Sequence, residues 1–426
     1  MTDIDRCDVL ILGASFAGIE VLHQLRRSRA GRELSVVVVD RQAEHGYIPL
    51  CQERLVERLP PERSALATAD CVALDPHARY VVGEVVTFAA TDPGGIVELA
   101  SGARVLGRYV VIALGSVLAP PPALPGGERL LGYKLGPEFA ASRARLAALL
   151  GGAAEGAAPG APGPRVVVIG GGVSGVELAG ELAHLAQVRP AGWVAPQVTL
   201  VDGGDRLLRG LCGRAARQAL RALQRQGVDV RLGTRVVQVD ADAVELRAAS
   251  GVAERLPCAA AFWAGGVRPA PLLARMALPH TSAGWLAVGP TLQCFVDVSV
   301  ARPELFACGD AVRILGGTGE WPTMQRAIEC LWQAKVVARN ILRLASRPSG
   351  DPRGPAPLRP HRLREDFAYG VSIGARSLIA YGPVSVDLGV LGVWFRRFLM
   401  RQYFARYGGP RPPTSAARAI GPASTS

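Results

Sequence analysis

The sequence predicts an α/β fold with two doubly wound halves and a small C-terminal module. Two segments carry this prediction. DVLIL (8–12) is a short apolar run ending at Gly13, followed by a helical stretch over 17–29 and a second apolar strand over 34–39 that closes on Asp40. RVVVIGGG (165–172) repeats the arrangement, with a helix over 174–186 and VTLVD (198–202) ending at Asp202. Continuous apolar strands joined by helices imply parallel sheets covered on both faces. A strand, a glycine turn, a helix and an acid after the next strand form the dinucleotide-binding pattern, so two Rossmann-like domains are expected.

The second turn, GGGVSGVE (170–177), has glycines at 170, 172 and 175. Gly170 permits the tight turn, Gly172 lets backbone approach a pyrophosphate, and Gly175 lets helix pack on strand. The helix N-terminus offers free N–H groups to the phosphates. Asp202 is placed to accept both ribose hydroxyls and to repel a 2′-phosphate, which favours NADH over NADPH. Arg206 nearby keeps NADPH as the alternative. The first turn is GASFAG (13–18), with Asp40 at the ribose position. Ser15 stands where the middle glycine is usual, and its small hydroxyl side chain is compatible with a phosphate. FACGDAV (306–312) ends a strand in Gly309-Asp310, where Asp310 reads either as an acceptor for a cofactor's sugar-chain hydroxyls or as a helix N-cap.

Composition fits this picture. The chain has 426 residues, 49% of them hydrophobic, enough for two or three domains with large cores. Its formal net charge is +12, yet only Lys134 and Lys335 are lysines. So complete an arginine bias points to genome composition more than to a nucleic-acid surface, and no nucleic-acid partner is expected. The eight cysteines show no CxxC spacing, so neither a metal site nor a redox dithiol is expected. MTDIDRCDVL has no secretory pattern, and no uncharged stretch reads as a spanning helix. A cytoplasmic protein is expected.

GGAAEGAAPGAPGP (151–164) and SRPSGDPRGPAPLRP (346–360) are low-complexity breaks, and residues 408–426 read as a flexible tail. Residues 361–407 form a separate module with strands over 367–373 and 378–381 and a helix over 390–407. On that helix Leu391, Trp394, Phe395, Phe398 and Ala405 share one arc, with Gln402 its only polar member. Arg401 and Arg406 flank the arc. Met400, Phe404 and Tyr407 fall elsewhere. Membrane-surface binding is the first reading; a homodimer interface or a lid on the core is the second.

These motifs, with FWAGGVRP (262–269), resemble the FAD-dependent pyridine nucleotide oxidoreductases over about residues 7–345. YIPLCQE (47–53) and WPTMQRA (321–327) are similar to segments of the type II NADH:quinone oxidoreductase and sulfide:quinone oxidoreductase branch. The resemblance implies an FAD domain over 1–130 and 286–345, an inserted NAD(P)H domain over 131–285, and a membrane-anchor or dimerisation module over 361–407. It implies FAD on Gly13, Ser15, Phe16, Ala17, Gly18, Asp40, Arg41, Pro49, Ala113, Gly115, Gly309 and Asp310. It places NADH on Gly170, Gly172, Gly175, Glu177, Asp202, Gly265 and Gly266. Glu177 falls at a branch glutamate near flavin and nicotinamide, and also reads as a first-turn acid favoured by the helix dipole. Gln325 matches the first glutamine of the branch's quinone motif, whereas Glu329 replaces the second. Cys51 reads either as a buried small hydrophobe or as a redox thiol. The implied activity is an FAD-dependent NADH dehydrogenase that passes electrons to a quinone, peripheral on the cytoplasmic face of the inner membrane. The alternatives are a soluble flavin reductase for an electron-transfer protein, oxygen or a small molecule, and an NADH-responsive redox sensor.

Overall fold

A computed structural model describes residues 4–118, 120–121, 123–134, 136–156, 162–295, 301–316, 319–321, 326–347, 357–363 and 367–408. The two predicted strand–helix–strand units each found a sheet. In the first, Ile4–Leu12 lies between Val36–Asp40 and Arg104–Ile112, parallel to both. Ala78–Val82 continues the parallel order beyond Val36–Asp40, and Ala301–Ala307 beyond Arg104–Ile112. Returning strands Leu286–Val288, Gln293–Phe295 and Val312–Gly316 extend this sheet, so distant parts of the sequence build one layer. Helices Phe16–Arg26 and Ala327–Ala345 pack on it through Ile19, Leu22, Leu25, Ala334, Val337 and Ile341.

The second sheet is wholly parallel: Arg165–Ile169 lies between Gln197–Val201 and Ala260–Trp263, and Asp229–Arg231 forms an edge. Val166, Val167, Val168 and Leu200 are fully buried, as continuous apolar strands require. An antiparallel three-stranded sheet, Thr234–Val239, Ala243–Ala248 and Ala253–Pro257, lies against one side. Ser116–Leu118 pairs antiparallel with Val267–Pro269 and ties the two units together.

The C-terminal module is an antiparallel sheet, Tyr369–Ile373, Arg376–Tyr381 and Val384–Leu388, leading into helix Gly389–Arg406. The third strand escaped the sequence reading because VSVDL (384–388) carries no long apolar run. The module is shared between two cores. Val371, Ile373, Leu378 and Ala380 pack with the second unit, while Met400, Tyr403, Phe404 and Tyr407 pack with the first. Gly180 on helix Val173–His184 permits this seam, because a Cβ there would lie 2.8 Å from the Cα of Ile373.

The C-terminal helix therefore has two apolar faces. Phe404 and Tyr407 are buried, whereas Leu391 is 75% exposed, Trp394 69%, Phe395 48% and Phe398 51%. This explains the blurred amphipathic pattern: apolar residues lie both on the docked side and on the outward arc. Ala405 and Gln402 on the same arc are also exposed.

Candidate functional site

The glycines of the two turns divide by what surrounds them. At Gly13, φ is +101°, and an added Cβ would lie 2.4 Å from the carbonyl oxygen of Ala113; at Gly170, φ is +117°, and the contact would be 2.5 Å from that of Ala264. A Cβ on Gly18 or Gly175 would fall inside the carbonyl of Gly13 or Gly170, respectively. These four are demanded by the chain itself. Gly172 differs, because a Cβ there would meet nothing within 4 Å. Open backbone at that position, at the N-terminus of helix Val173–His184, fits a pyrophosphate. Ser15 holds the corresponding place in the first turn and makes no side-chain capping bond, which leaves its hydroxyl available to a ligand.

The strand-end acids brace these turns. Asp40 accepts N–H bonds from Ala14 at 2.6 Å and Gln42 at 2.9 Å. Asp202 accepts from Gly171 at 2.6 Å and Gly204 at 2.7 Å, and Arg209 approaches it at 3.4 Å. Arg206, the residue that kept NADPH open, donates instead to the carbonyls of Arg209 and Leu211. Gly265 packs against the Trp263 ring and Gly266 has open space beside it, with Trp263 Nε1 donating to the Gly266 carbonyl at 3.1 Å.

The end of strand Ala301–Ala307 brings Gly309 and Asp310 beside the first turn, with Gly309 facing Ala17. Asp310 accepts from Ser116 at 2.9 Å and pairs with Lys134 at 3.4 Å, while Lys134 also donates to the Ser116 hydroxyl at 2.7 Å. Ala113 and Gly115 lie in the segment between strand Arg104–Ile112 and Ser116, and Gly115 has open space beside it. Phe16 opens the helix after the first turn. Its ring is buried among His45, Tyr47 and Tyr403, so only its backbone faces the turn. Arg41 is exposed.

Glu177 is nine-tenths buried at a seam between the two units and the C-terminal module. It accepts from Ser372 N–H at 3.0 Å, pairs with Arg396 at 2.8 Å and meets the Gln52 amide at 3.4 Å. Arg396 also donates to the carbonyl of Pro49 at 2.7 Å. Burial pushes the Glu177 carboxyl above its ordinary range, and Arg396 and the Ser372 N–H oppose that. Cys51 lies close by, and burial, reinforced by Glu177, pushes its thiol up to about 12. That environment disfavours a thiolate and suits the small-hydrophobe reading. All eight cysteines are free.

Glu329 is also buried, but in a different setting. It shares a 2.6 Å hydrogen bond with His361 and accepts from Gln333 at 3.0 Å, whose own oxygen accepts the Gly309 N–H at 2.7 Å. Gln325 lies outside the described residues. The sequence reading missed Gln52, Ser116, Lys134, Ser372 and Arg396. Lys134 carried a signal, as one of two lysines in an arginine-rich chain. Arg396 carried another, since it sits off the outward arc of its helix.

Comparison with known proteins gives the family and the fold. The pyridine nucleotide-disulphide oxidoreductase family model matches residues 7–334. Type II NADH:quinone oxidoreductase Ndh of Mycobacterium tuberculosis is 25% identical over 358 residues, 78% of this chain and 72% of that one. The nitric oxide reductase FlRd-NAD(+) reductase of Aeromonas salmonicida is 28% identical over 321 residues, 72% of this chain and 71% of that one. The solved structure of NDH2 from Plasmodium falciparum in complex with NADH superposes with a TM-score of 0.75 at 12% identity, covering 94% of each chain. The matched family and the two braced glycine turns lead to one conclusion: the chain belongs to the pyridine nucleotide-disulphide oxidoreductase family and is an oxidoreductase that uses a flavin and a pyridine nucleotide.

Proposed function

We propose that the chain is an FAD-dependent NADH dehydrogenase that delivers electrons to a quinone at a membrane surface. The observation that carries the reading is the convergence at Glu177. The Pro49–Gln52 turn of the first unit, the helix after the second glycine turn and the C-terminal helix all meet there. The FAD domain in this reading is 1–130 and 286–345, and the NAD(P)H domain is 131–285. Bound FAD supplies hydride acceptance from NADH and two-electron delivery to the acceptor. The chain's residues hold and orient. Gly13–Gly18 and Gly170–Gly175 receive pyrophosphates, and Asp40 and Asp202 receive ribose hydroxyls. Asp310, fixed by Lys134 and Ser116, receives the sugar chain of FAD, and Gly265 and Gly266 leave room beside the nicotinamide. Pro49 and Glu177 face the junction. The carboxylate of Asp202 supports NADH over NADPH, as does the engagement of Arg206 with the carbonyls of Arg209 and Leu211.

The exposed arc of the C-terminal helix supports the membrane half of the reading. Leu391, Trp394, Phe395 and Phe398 form a compact apolar patch on one helix, with Arg401 exposed beside it. Such a face suits the lipid interface. No described helix is long and apolar enough to cross a membrane. The likeness to a FlRd-NAD(+) reductase favours a second reading, in which an electron-transfer protein takes the electrons. Anaerobic reduction of the yellow protein with NADH, followed by addition of a quinone or a small iron–sulfur protein, separates the two. Absorbance restored by quinone supports the first reading. Restoration by the protein acceptor alone transfers the function to the second, and no bleaching by NADH ends both.

A further inference from the structure

We propose that Arg396, delivered by the C-terminal helix, is the positioning residue that fixes the charge and orientation of Glu177, making the C-terminal module part of the redox site. The proposal rests on the assignment of Glu177 to that site. Residues 361–408 lie beyond the matched family region, so nothing in the family assignment gives them a place in the chemistry. The geometry does. The Arg396 side chain is 14% exposed and spans two units, reaching Glu177 Oε1 at 2.8 Å and the Pro49 carbonyl at 2.7 Å. A second module contact, the Ser372 N–H at 3.0 Å, falls on the same oxygen.

The neighbouring carboxylates are paired in the same way, although burial still pushes Glu181 up to about 8 despite its Arg58 partner. Glu53 is buried and takes Arg397 of the same helix at 2.7 Å; Glu181 is buried and pairs with Arg58. Three acids in one seam thus each hold a guanidinium, and two of those come from the C-terminal helix. An unpaired carboxylate at such depth takes up a proton instead of staying charged. Among the described residues, these groups face Glu177. Arg396 comes from the C-terminal helix, Ser372 from the module's first strand, and Gln52, Glu53 and Cys51 from helix Cys51–Leu55. Tyr133 approaches from the segment before helix Pro137–Gly156, and Glu181 lies one turn along Glu177's own helix. Arg396 is the cation among them that touches Glu177. The charge of Glu177 therefore depends on a seated C-terminal helix, the same helix whose outer face is apolar and exposed.

The test compares flavin-loaded wild type, Arg396→Gln, Arg396→Lys, Glu177→Gln and the Arg396→Gln/Glu177→Gln double variant. The first readout is the infrared band of a protonated carboxyl that disappears in Glu177→Gln, followed against pH. The second is the pH profile of NADH oxidation. Arg396→Gln is expected to move Glu177 protonation up by about one pH unit or more, a tenfold change in proton affinity. Arg396→Lys is expected to restore most of that shift. In the Glu177→Gln background, Arg396→Gln is expected to leave the pH profile where it was. An unchanged infrared midpoint in folded, flavin-loaded Arg396→Gln overturns the proposal. If Arg396→Gln does not fold, Arg396→Met takes its place: an upward midpoint shift in the flavin-loaded variant supports the proposal, and an unchanged midpoint overturns it. Unchanged turnover in Glu177→Gln overturns the assignment of Glu177 to the site, and the proposal with it, even where the infrared shift is found.

Discussion

Asp202 accepts the backbone N–H of Gly171 at 2.6 Å, and its other oxygen takes that of Gly204 at 2.7 Å. The acid thus shapes the turn before any nucleotide arrives. Asp202→Asn keeps the volume but turns one acceptor into a donor facing a backbone N–H. A lost charge-assisted bond of about 1.5–3 kcal/mol is expected. NADH binding should weaken about tenfold or more, and the preference for NADH over NADPH should fall as the negative charge goes. Fluorescence titration of both nucleotides checks this. Equal affinities in variant and wild type would remove Asp202 from the ribose site.

The glycines of the second turn predict a contrast between two chemically identical substitutions. Gly170→Ala puts a Cβ at positive φ and 2.5 Å from the Ala264 oxygen. It should destabilise the fold by several kcal/mol, since neither backbone can give way. Gly172→Ala meets open space, so its melting temperature should stay near wild type while nucleotide affinity drops. Thermal unfolding and nucleotide titration, run on both variants, separate the two roles. A strongly unstable Gly172→Ala would contradict the ligand-facing assignment.

The first sheet, the second sheet and both glycine turns were legible because their signals are local: apolar runs, glycines and a strand-end acid. Three things were not. The two-faced C-terminal helix looked indistinct because Phe404 and Tyr407 are needed against the first core while Trp394 and Phe398 face outward, and a single period cannot describe two stripes. The Glu177 seam draws on Gln52, Ser372 and Arg396, more than a hundred residues apart in sequence from it, so only folding joins them. Phe16 stood in the cofactor turn by position, yet its ring turns into the aromatic cluster with His45 and Tyr403.

The two faces of the C-terminal helix should separate experimentally. Replacing Leu391, Trp394, Phe395 and Phe398 with serine removes exposed surface and should leave the melting temperature nearly unchanged. Binding to vesicles of mixed anionic and neutral lipid should be lost. Phe404→Ala empties a site that is 1% exposed and should cost about 3–5 kcal/mol. Flotation assays and denaturant unfolding on the two variants provide the comparison. Undiminished vesicle binding in the serine variant, with dissociation of a dimer, would assign the patch to a second copy of the chain.

His45 gives the same helix a pH dependence. Its ring is buried, shares a 2.7 Å hydrogen bond with the Tyr403 hydroxyl and packs edge-on to Phe16. Desolvation lowers its pKa from 6.5 to about 4. The folded state therefore holds His45 neutral while the unfolded chain protonates it below about 6.5. Between those values the unfolded state binds more protons, so stability falls as pH drops from about 6.5 towards about 4 and is fully present above that window. The loss from this residue is on the order of 3 kcal/mol. His45→Gln keeps a hydrogen-bonding group without the titration, so it should flatten this part of the stability profile. Denaturant midpoints measured in steps across the window test it. An identical acid slope in His45→Gln and wild type would place the loss on other groups.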